Sequence, residues 1–541
     1  PPEIAVYLPE GAAEIQRMFQ ASARRLQRLA TGVAADAAAK SFWVPGRIEV
    51  LGKHTDYAGG ASLLGAVNKG FAVVTTARDD DKCRIFTQFS DGRELQQELA
   101  LTPDTNELER LRACETDQGG WAAYPAAALQ RLTSNFGITR GADISIECSL
   151  PEASGMSSSS AVICYMWSVL DAYNGISAGP HPTFAKSIGA GAEGEANLYT
   201  YLGNIENGKD FRPGQDDFTL HGRGGVGTFG GSEDHTAIMS CTKGELKMWS
   251  YCPTLHRRTV SVDPDVRFVI AVSGAKAEKT GGAMDDYNDA CLLAFWAAAA
   301  YTQGRAGADA AASGDAISRD ALAALFPGVA LYNPNLPNLA ECVRYERSAN
   351  PGLDESALRA KVSDTIRSVG DSFKTVIPKM FSVAGLNCDG IASERIANET
   401  LVVRFEQFFD ESETIVGAAA EAFAAHDYAT LGRLVDDSHR FTVEKLKNTI
   451  PETAWLPQWA RGMEAGAAEE EAKGADRVRA LAASAFGAGF GGSCWALVRK
   501  DEADRFRDQW LEAYEARFPS KVGGLTREFF VMSPGPGSFQ V

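Results

Sequence analysis

The chain has 541 residues, 45% of them hydrophobic and 23% charged, which is enough for two or three domains with a large core and is ordinary for a soluble globular protein. A formal net charge of −17 argues against nucleic acid and anionic membranes as principal partners, but leaves room for a phosphorylated ligand where a local field opposes the global one. No run of 18 apolar residues offers a membrane-spanning helix, and Pro1-Pro2-Glu3 opens no basic segment followed by an apolar stretch. None of the ten cysteines forms a C-x-x-C pair, so reduced, buried thiols in a cytoplasmic protein are expected, and a zinc site is not.

In chain order, Ile15, Met18, Phe19, Leu26 and Leu29 recur at helical spacing and predict a surface helix within residues 10–40, a helical extension before the first domain. Arg47-Ile-Glu-Val-Leu51 alternates like a strand, Gly52 breaks it, and Lys53-His-Thr-Asp56 follows as a polar loop. Gly59-Gly60 then turns the chain into an apolar run. Such a loop suits a small polyhydroxylated ligand, because a carboxylate accepts from two hydroxyls and a histidine donates or accepts. A solvated surface turn is the plain alternative. The stretch also resembles the galactokinase signature, roughly G-R-V-N-L-I-G-E-H-T-D-Y-N-G-G, through Gly46-Arg47, Leu51-Gly52, His54-Thr-Asp-Tyr57 and Gly59-Gly60. Lys53 stands where that family has glutamate.

Residues 70–76 and 83–87 read as further strands, 118–136 as helix and 142–148 as a strand. That strand runs into Leu150-Pro-Glu-Ala-Ser-Gly-Met-Ser-Ser-Ser-Ser-Ala-Val162, and an apolar helical segment follows. In a strand, Gly/Ser loop, helix order, small residues let backbone N–H groups approach an anion, the serines add donors, and the helix start adds a positive dipole end. This is a phosphate cradle by mechanism; a serine linker is the other reading. It resembles the second motif of the GHMP small-molecule kinases at Pro151, Gly155, Met156 and Ser157 to Ser159. Residues 183–206 are predicted helical with Glu193 and Glu195 inside, and a glycine-rich passage leads to Gly231-Ser-Glu-Asp234, which resembles the galactokinase segment G-I-M-D-Q. Asp234 is then the catalytic aspartate, with Glu233 and His235 as unusual neighbours; an Asx-type helix cap would need no chemistry.

Residues 267–273 read as a strand opening the second half, and Asp286-Tyr-Asn288 matches the family's E-Y-N. Residues 300–400, with low complexity at 308–312, read as a helical insertion that covers the site or makes an oligomer contact. Gly432 to His439 resembles the family's G-x-L-M-x-x-S-H, and Ala485 to Val498 resembles the third GHMP motif, with Gly487, Gly489, Gly491 and Gly492 able to turn sharply beside a ligand. Residues 502–517 are predicted helical.

The resemblance implies an α+β GHMP kinase fold with the active site in the cleft between two domains, 41–262 and 263–541, the second carrying the insertion. It implies ATP-dependent phosphorylation of the anomeric hydroxyl of galactose or a similar sugar. Asp234 would be the base and Arg47 its partner; His54, Asp56, Gly231 and Tyr287 would contact the sugar with Lys53. Gly155, Ser157, Ser158, Ser159, Gly489 and Gly491 would hold ATP. Ser158 and Glu195, or Glu193 in its place, would ligate Mg²⁺. A silent sugar sensor and a GHMP kinase for another alcohol remain as alternatives. So does a uronic acid kinase, because the Lys53 ammonium could pair with a C6 carboxylate. Lys53 could instead pair with Glu49 or Asp56, or point into solvent beside a sugar lacking C6.

Overall fold

The computed structural model describes residues 2–541 apart from 9–10, 31–37, 89–93, 103, 114–119, 180, 214–217, 276–283, 308–317, 373, 375–395, 465–475 and 520–526. Its backbone is built on two sheets. Strands β1 (Lys40–Leu51), β2 (Ala61–Ala77), β3 (Lys82–Gln88), β4 (Glu94–Ala100), β5 (Ala142–Cys148), β6 (Glu245–Ser250) and β7 (Leu255–Ser261) lie in the first. Strands β8 (Val266–Val272), β9 (Ala482–Phe486), β10 (Ser493–Arg499) and β11 (Glu528–Met532) form the second, in the order β11-β8-β10-β9. The short β12 (Phe539–Gln540) returns to the first sheet, whose order is β12-β1-β2-β5-β3-β4, with β6 on β2 and β7 on β6. The chain passes from the first sheet to the second between β7 and β8. The final strand departs from that division, because Phe42 and Trp43 of β1 pair with Gln540 and Phe539.

β1 is buried from Phe42 onward, on both faces, so its apolar residues run nearly continuously and only its second half alternates in sequence. Its register on β2 shifts between Pro45 and Arg47, at the kind of irregularity where a proline's missing N–H costs no ladder bond. The shift brings Arg47 N within 3.2 Å of Met156 O, so the first strand touches the Gly/Ser loop directly.

The predicted N-terminal helix spans Ala12–Leu29 and packs Ile15, Phe19 and Leu26 against Trp43, Val74 and Phe86 on the outer face of the sheet. The helix Ser158–Asn174 crosses the core and is buried nearly all round, which is why its sequence is apolar without a polar stripe. The continuous helix expected at 183–206 is two helices, Pro182–Ser187 and Gly191–Asn207. Gly189 and Gly191, both at positive φ, break it. Residues 300–400 contribute the helices Arg319–Leu325, Leu339–Ala349 and Glu355–Ser368, which with Met284–Ala306 and Asn398–Phe408 enclose a core of their own around Trp296, Val343, Val362 and Phe405. The low-complexity stretch 308–312 lies outside the described residues. The described part of the insertion supports the first loop from behind. Tyr57 and Ala58 belong to its core, and Gly59 and Gly60 leave room for Asn338, Phe408 and Ser412, each within 3 Å of where a Cβ would stand.

The cysteines described are free, and burial pushes the Cys83 and Cys241 thiols up to about 12. Among the described residues no helix is long and apolar enough to cross a membrane.

Candidate active site

Arg47, just past the irregularity of β1, is 2% exposed and joins three segments. Its Nε donates to Asp234 Oδ1 at 2.7 Å, its Nη2 lies 2.6 Å from the same oxygen, and its Nη1 donates to Gly155 O at 2.7 Å. Asp234 sits in the first turn of the helix Glu233–Ser240. Burial works against the Arg47 charge, but Asp234, Glu233 and Glu49 outweigh it and hold the guanidinium above its ordinary pKa. A buried cation so surrounded stays charged and stays put. On the far side of Asp234, Ser160 Oγ lies 3.3 Å from Oδ2 and donates to Glu206 Oε2 at 2.8 Å; His235 Nε2 stands 3.0 Å from that same Glu206 oxygen.

The polar loop after β1 forms the opposite wall. His54 has φ 56°, a strained conformation held because Arg404 Nη2 donates to its carbonyl at 2.6 Å. Its ring spans Tyr57 Oη (2.8 Å) and the carbonyl of Ala488 in the third motif (3.1 Å). Asp56 Oδ1 accepts from Tyr57 N at 2.8 Å and Oδ2 from Glu233 N at 3.2 Å, so the carboxylate is aimed by two backbone donors. Gly231 is a glycine for a direct reason: a Cβ there would stand 2.1 Å from Asp56 Oδ2. Arg47, Glu49, His54, Asp56, Ser160, Glu206, Gly231, Asp234 and Tyr287 line one cleft of about 430 Å³, including its open mouth. Arg47, His54, Asp56, Gly231, Asp234 and Tyr287, scattered over 240 residues of sequence, are therefore brought together.

The Gly/Ser loop has the shape its composition suggests. Gly155 and Ser157 take positive φ (75° and 60°), Ser158 begins the 17-residue helix, and Ser157 Oγ is buried with no protein partner. Ser158 and Ser159 are half-buried in the first turn. Ser493 Oγ donates to Ser154 O at 2.7 Å, which ties this loop to the third motif. Gly489 and Gly491 line a neighbouring cavity of about 220 Å³ that meets the cleft at Gly487.

Three placements differ from expectation. Glu195 and Glu193 are exposed on the outer part of the helix Gly191–Asn207, and the carboxylate this helix delivers to the cleft is Glu206, near its end. The serine beside that carboxylate is Ser160 rather than Ser158. Lys53 does not line the cleft. It is 1% exposed, faces the neighbouring cavity, and donates through Nζ to Ser438 Oγ at 3.1 Å. Ser438 in turn donates to Glu411 Oε1 at 3.0 Å, an oxygen that also accepts from Gly52 N at 2.8 Å. Glu49 adds charge attraction. Lys53 is thus neither in solvent nor paired with Asp56, whose oxygens are taken by backbone donors.

Glu49, missed as a site residue, shares the pocket face of β1 with Arg47, as residues two apart on a strand do. It shares a hydrogen bond with Glu233, whose Oε2 accepts from Ser62 Oγ at 2.9 Å. Burial raises both carboxyls above their usual range, and for Glu233 the charges of Glu49, Asp56 and Asp234 push the same way.

Residues 35–77 match the galactokinase galactose-binding signature, 123–198 the GHMP kinases N-terminal domain and 419–516 the GHMP kinases C-terminal region. A galactokinase of Lactobacillus helveticus is 34% identical over 135 residues, 25% of this chain and 32% of that protein. One of Enterococcus faecalis is 34% identical over 129 residues, 24% of this chain and 31% of its own. The matched stretches thus span about a third of the length of these relatives. In three dimensions the chain superposes on Lactococcus lactis galactokinase, solved with galactose, with a TM-score of 0.59 over 96% of this chain and 99% of that one, at 19% identity, which speaks to the fold. Three family matches in chain order, on a backbone of that fold, mark this chain as similar to the galactokinases and other GHMP kinases.

Proposed function

We propose that the protein is an ATP- and Mg²⁺-dependent kinase that phosphorylates the anomeric (C1) hydroxyl of galactose or a galactose-like neutral sugar, giving the sugar 1-phosphate and ADP. The observation that carries this reading is Arg47, which binds the candidate base Asp234 and the candidate phosphate loop at Gly155 with one guanidinium. Phosphoryl transfer needs alignment, charge neutralisation and a destination for the hydroxyl proton. The C1 oxygen forms its bond to the γ-phosphorus as the bond to the β-phosphate oxygen breaks, and Asp234 takes the proton. Arg47 favours ionised Asp234 before transfer and stabilises charge during it.

Backbone N–H groups at the start of the helix Ser158–Asn174 would receive the phosphates, with the unpartnered Ser157 hydroxyl as a further donor. Mg²⁺, when bound with the nucleotide, supplies neutralisation of the phosphate oxygens. Ser160 and Glu206, adjacent oxygen donors at the cleft wall, are the residues that would hold it. Among the described residues no group of three or more His, Cys, Asp or Glu side chains is gathered for a metal, which suits an ion carried mainly by phosphates and water. His54, Asp56 and Tyr287 would orient the sugar. A uronic acid is less well served, since Glu49, Asp56, Glu206, Glu233 and Asp234 face the cleft against Arg47, and Lys53 is paired elsewhere.

The test is turnover with ATP and Mg²⁺ across a panel of aldoses and uronic acids, with detection of sugar 1-phosphate. Product from galactose or a neutral relative is expected; no 1-phosphate from any sugar would refute the reading.

A further inference from the structure

Glu49 and Glu233 are the carboxylates of the cleft for which phosphoryl transfer has no use, and Glu49 is the one with an oxygen to spare. It is 1% exposed and lines the cleft, one of its oxygens is engaged with Glu233, and Oε1 has no partner. A hydrogen bond between two carboxyl groups contains a proton. Burial raises both carboxyls, but at Glu233 the charges of Glu49, Asp56 and Asp234 add to the rise while at Glu49 the cations Lys53 and Arg47 oppose it, so the shared proton favours Glu233. Glu49 is then an acceptor with an unspent oxygen. A buried acceptor left without a donor is costly, and in native structures such groups are nearly always satisfied by water or a ligand.

The comparison with the galactokinase signature sharpens this. That signature has asparagine and glutamate where this chain has Glu49 and Lys53. Here an acid stands four residues earlier in the chain than in that signature, and Lys53 is directed toward Ser438 and Glu411. We propose that Glu49 is a specificity-determining residue whose Oε1 accepts a hydrogen bond from a hydroxyl or ammonium of the sugar, so that the cleft selects neutral and amino sugars against uronates, with Lys53 supporting Glu49 rather than touching the substrate. The proposal rests on the sugar-kinase reading and adds the group that reads the sugar.

The experiment is equilibrium calorimetry of galactose, each monodeoxygalactose, galactosamine and galacturonate with wild type, Glu49→Asn and Glu49→Gln. In the wild type one deoxy analogue should bind about 10- to 100-fold more weakly than galactose, as loss of a hydrogen bond to a charged acceptor implies. That loss should shrink to about threefold or less in Glu49→Asn, and galacturonate should gain on galactose in Glu49→Gln. A deoxy-sugar profile unchanged in both variants overturns the assignment while leaving the kinase reading intact. So does a wild type that prefers galacturonate. Failure of every sugar to bind overturns both.

Discussion

Replacing Gly231 by alanine tests whether Asp56 is held where the sugar needs it. The new Cβ would stand 2.1 Å from Asp56 Oδ2, 2.5 Å from its Cγ and 2.9 Å from Tyr57 N, against an ordinary contact that begins at 3.4 Å. Tyr57 N is backbone in a tight turn packed on the insertion's core, so the carboxylate must retreat, by about 1.3 Å. Its 3.2 Å bond from Glu233 N cannot survive that movement, and the 2.8 Å bond from Tyr57 N must pivot. Hydrogen bonds to a charged acceptor contribute roughly 1.5–3 kcal/mol, so a stability loss in that range is expected. A misplacement of about 1 Å in a positioned site costs on the order of 100-fold in rate. Steady-state assays should show kcat/KM for the sugar down about 100-fold or more, with KM for ATP little changed. Gly352, which has open space where its Cβ would be, is the control; alanine there should stay within about 0.5 kcal/mol of wild type. A Gly231→Ala enzyme with kcat/KM within twofold of wild type would show that Asp56 is not what orients the sugar.

Asp234→Asn keeps the side-chain shape and should lower turnover by about 10²–10⁴-fold while sugar binding persists; near-normal turnover would move the base to another group. Gly155→Val places a branched residue at φ 75° beside the carbonyl that accepts from Arg47, so ATP affinity should fall with sugar affinity spared, and an unchanged ATP titration would exclude this loop as the cradle. Burial, aided by the Lys53 charge, holds His439 down to about 4. Its folded form is neutral where the unfolded chain, titrating at about 6.5, binds a proton, so it contributes stability above pH 6.5 that is lost as pH falls toward 4. Between pH 7 and pH 5, urea denaturation should cost the wild type about 2 kcal/mol more than His439→Gln; equal losses would mean that His439 is protonated in the fold.

The three motifs were legible because each combines chemistry with a break in periodicity, as where Gly52 ends a strand or the serine run opens a helix. Arg47, Asp56, Asp234 and Tyr287 were therefore readable by position. The carboxylate that the helix Gly191–Asn207 brings to the cleft was not, for a geometric reason. Glu195 and Glu206 are eleven residues apart, just over three helical turns, so they project from nearly the same face about 16 Å apart along the axis. Periodicity cannot say which end of the helix meets the cleft; only the packing of Tyr199, Leu202 and Ile205 in the core does. Lys53 was misplaced because its partners, Ser438 and Glu411, come from segments more than 350 residues away. Glu49 shares a strand face with Arg47 by alternation, but alternation alone does not say that the face lines a cleft.

The bond from Gly52 N to Glu411 sets the timing of the protein's birth. Its two ends are 359 residues apart in sequence. At about 5–20 residues per second, a ribosome takes on the order of 20–70 s to make the intervening chain. For all of that interval the loop that carries His54 and Asp56 lacks the acceptor that fixes it, and Lys53 remains in water without Ser438. Contacts so distant also slow folding after release, since loop closure precedes any gain. A nascent chain stopped at residue 262 carries two of the three motifs and a nearly complete first sheet, and can hold Asp56 through Glu233 N, yet lacks the Glu411 acceptor for Gly52 N. The anchoring of Gly52 therefore comes late, when the helical segment around Glu411 docks.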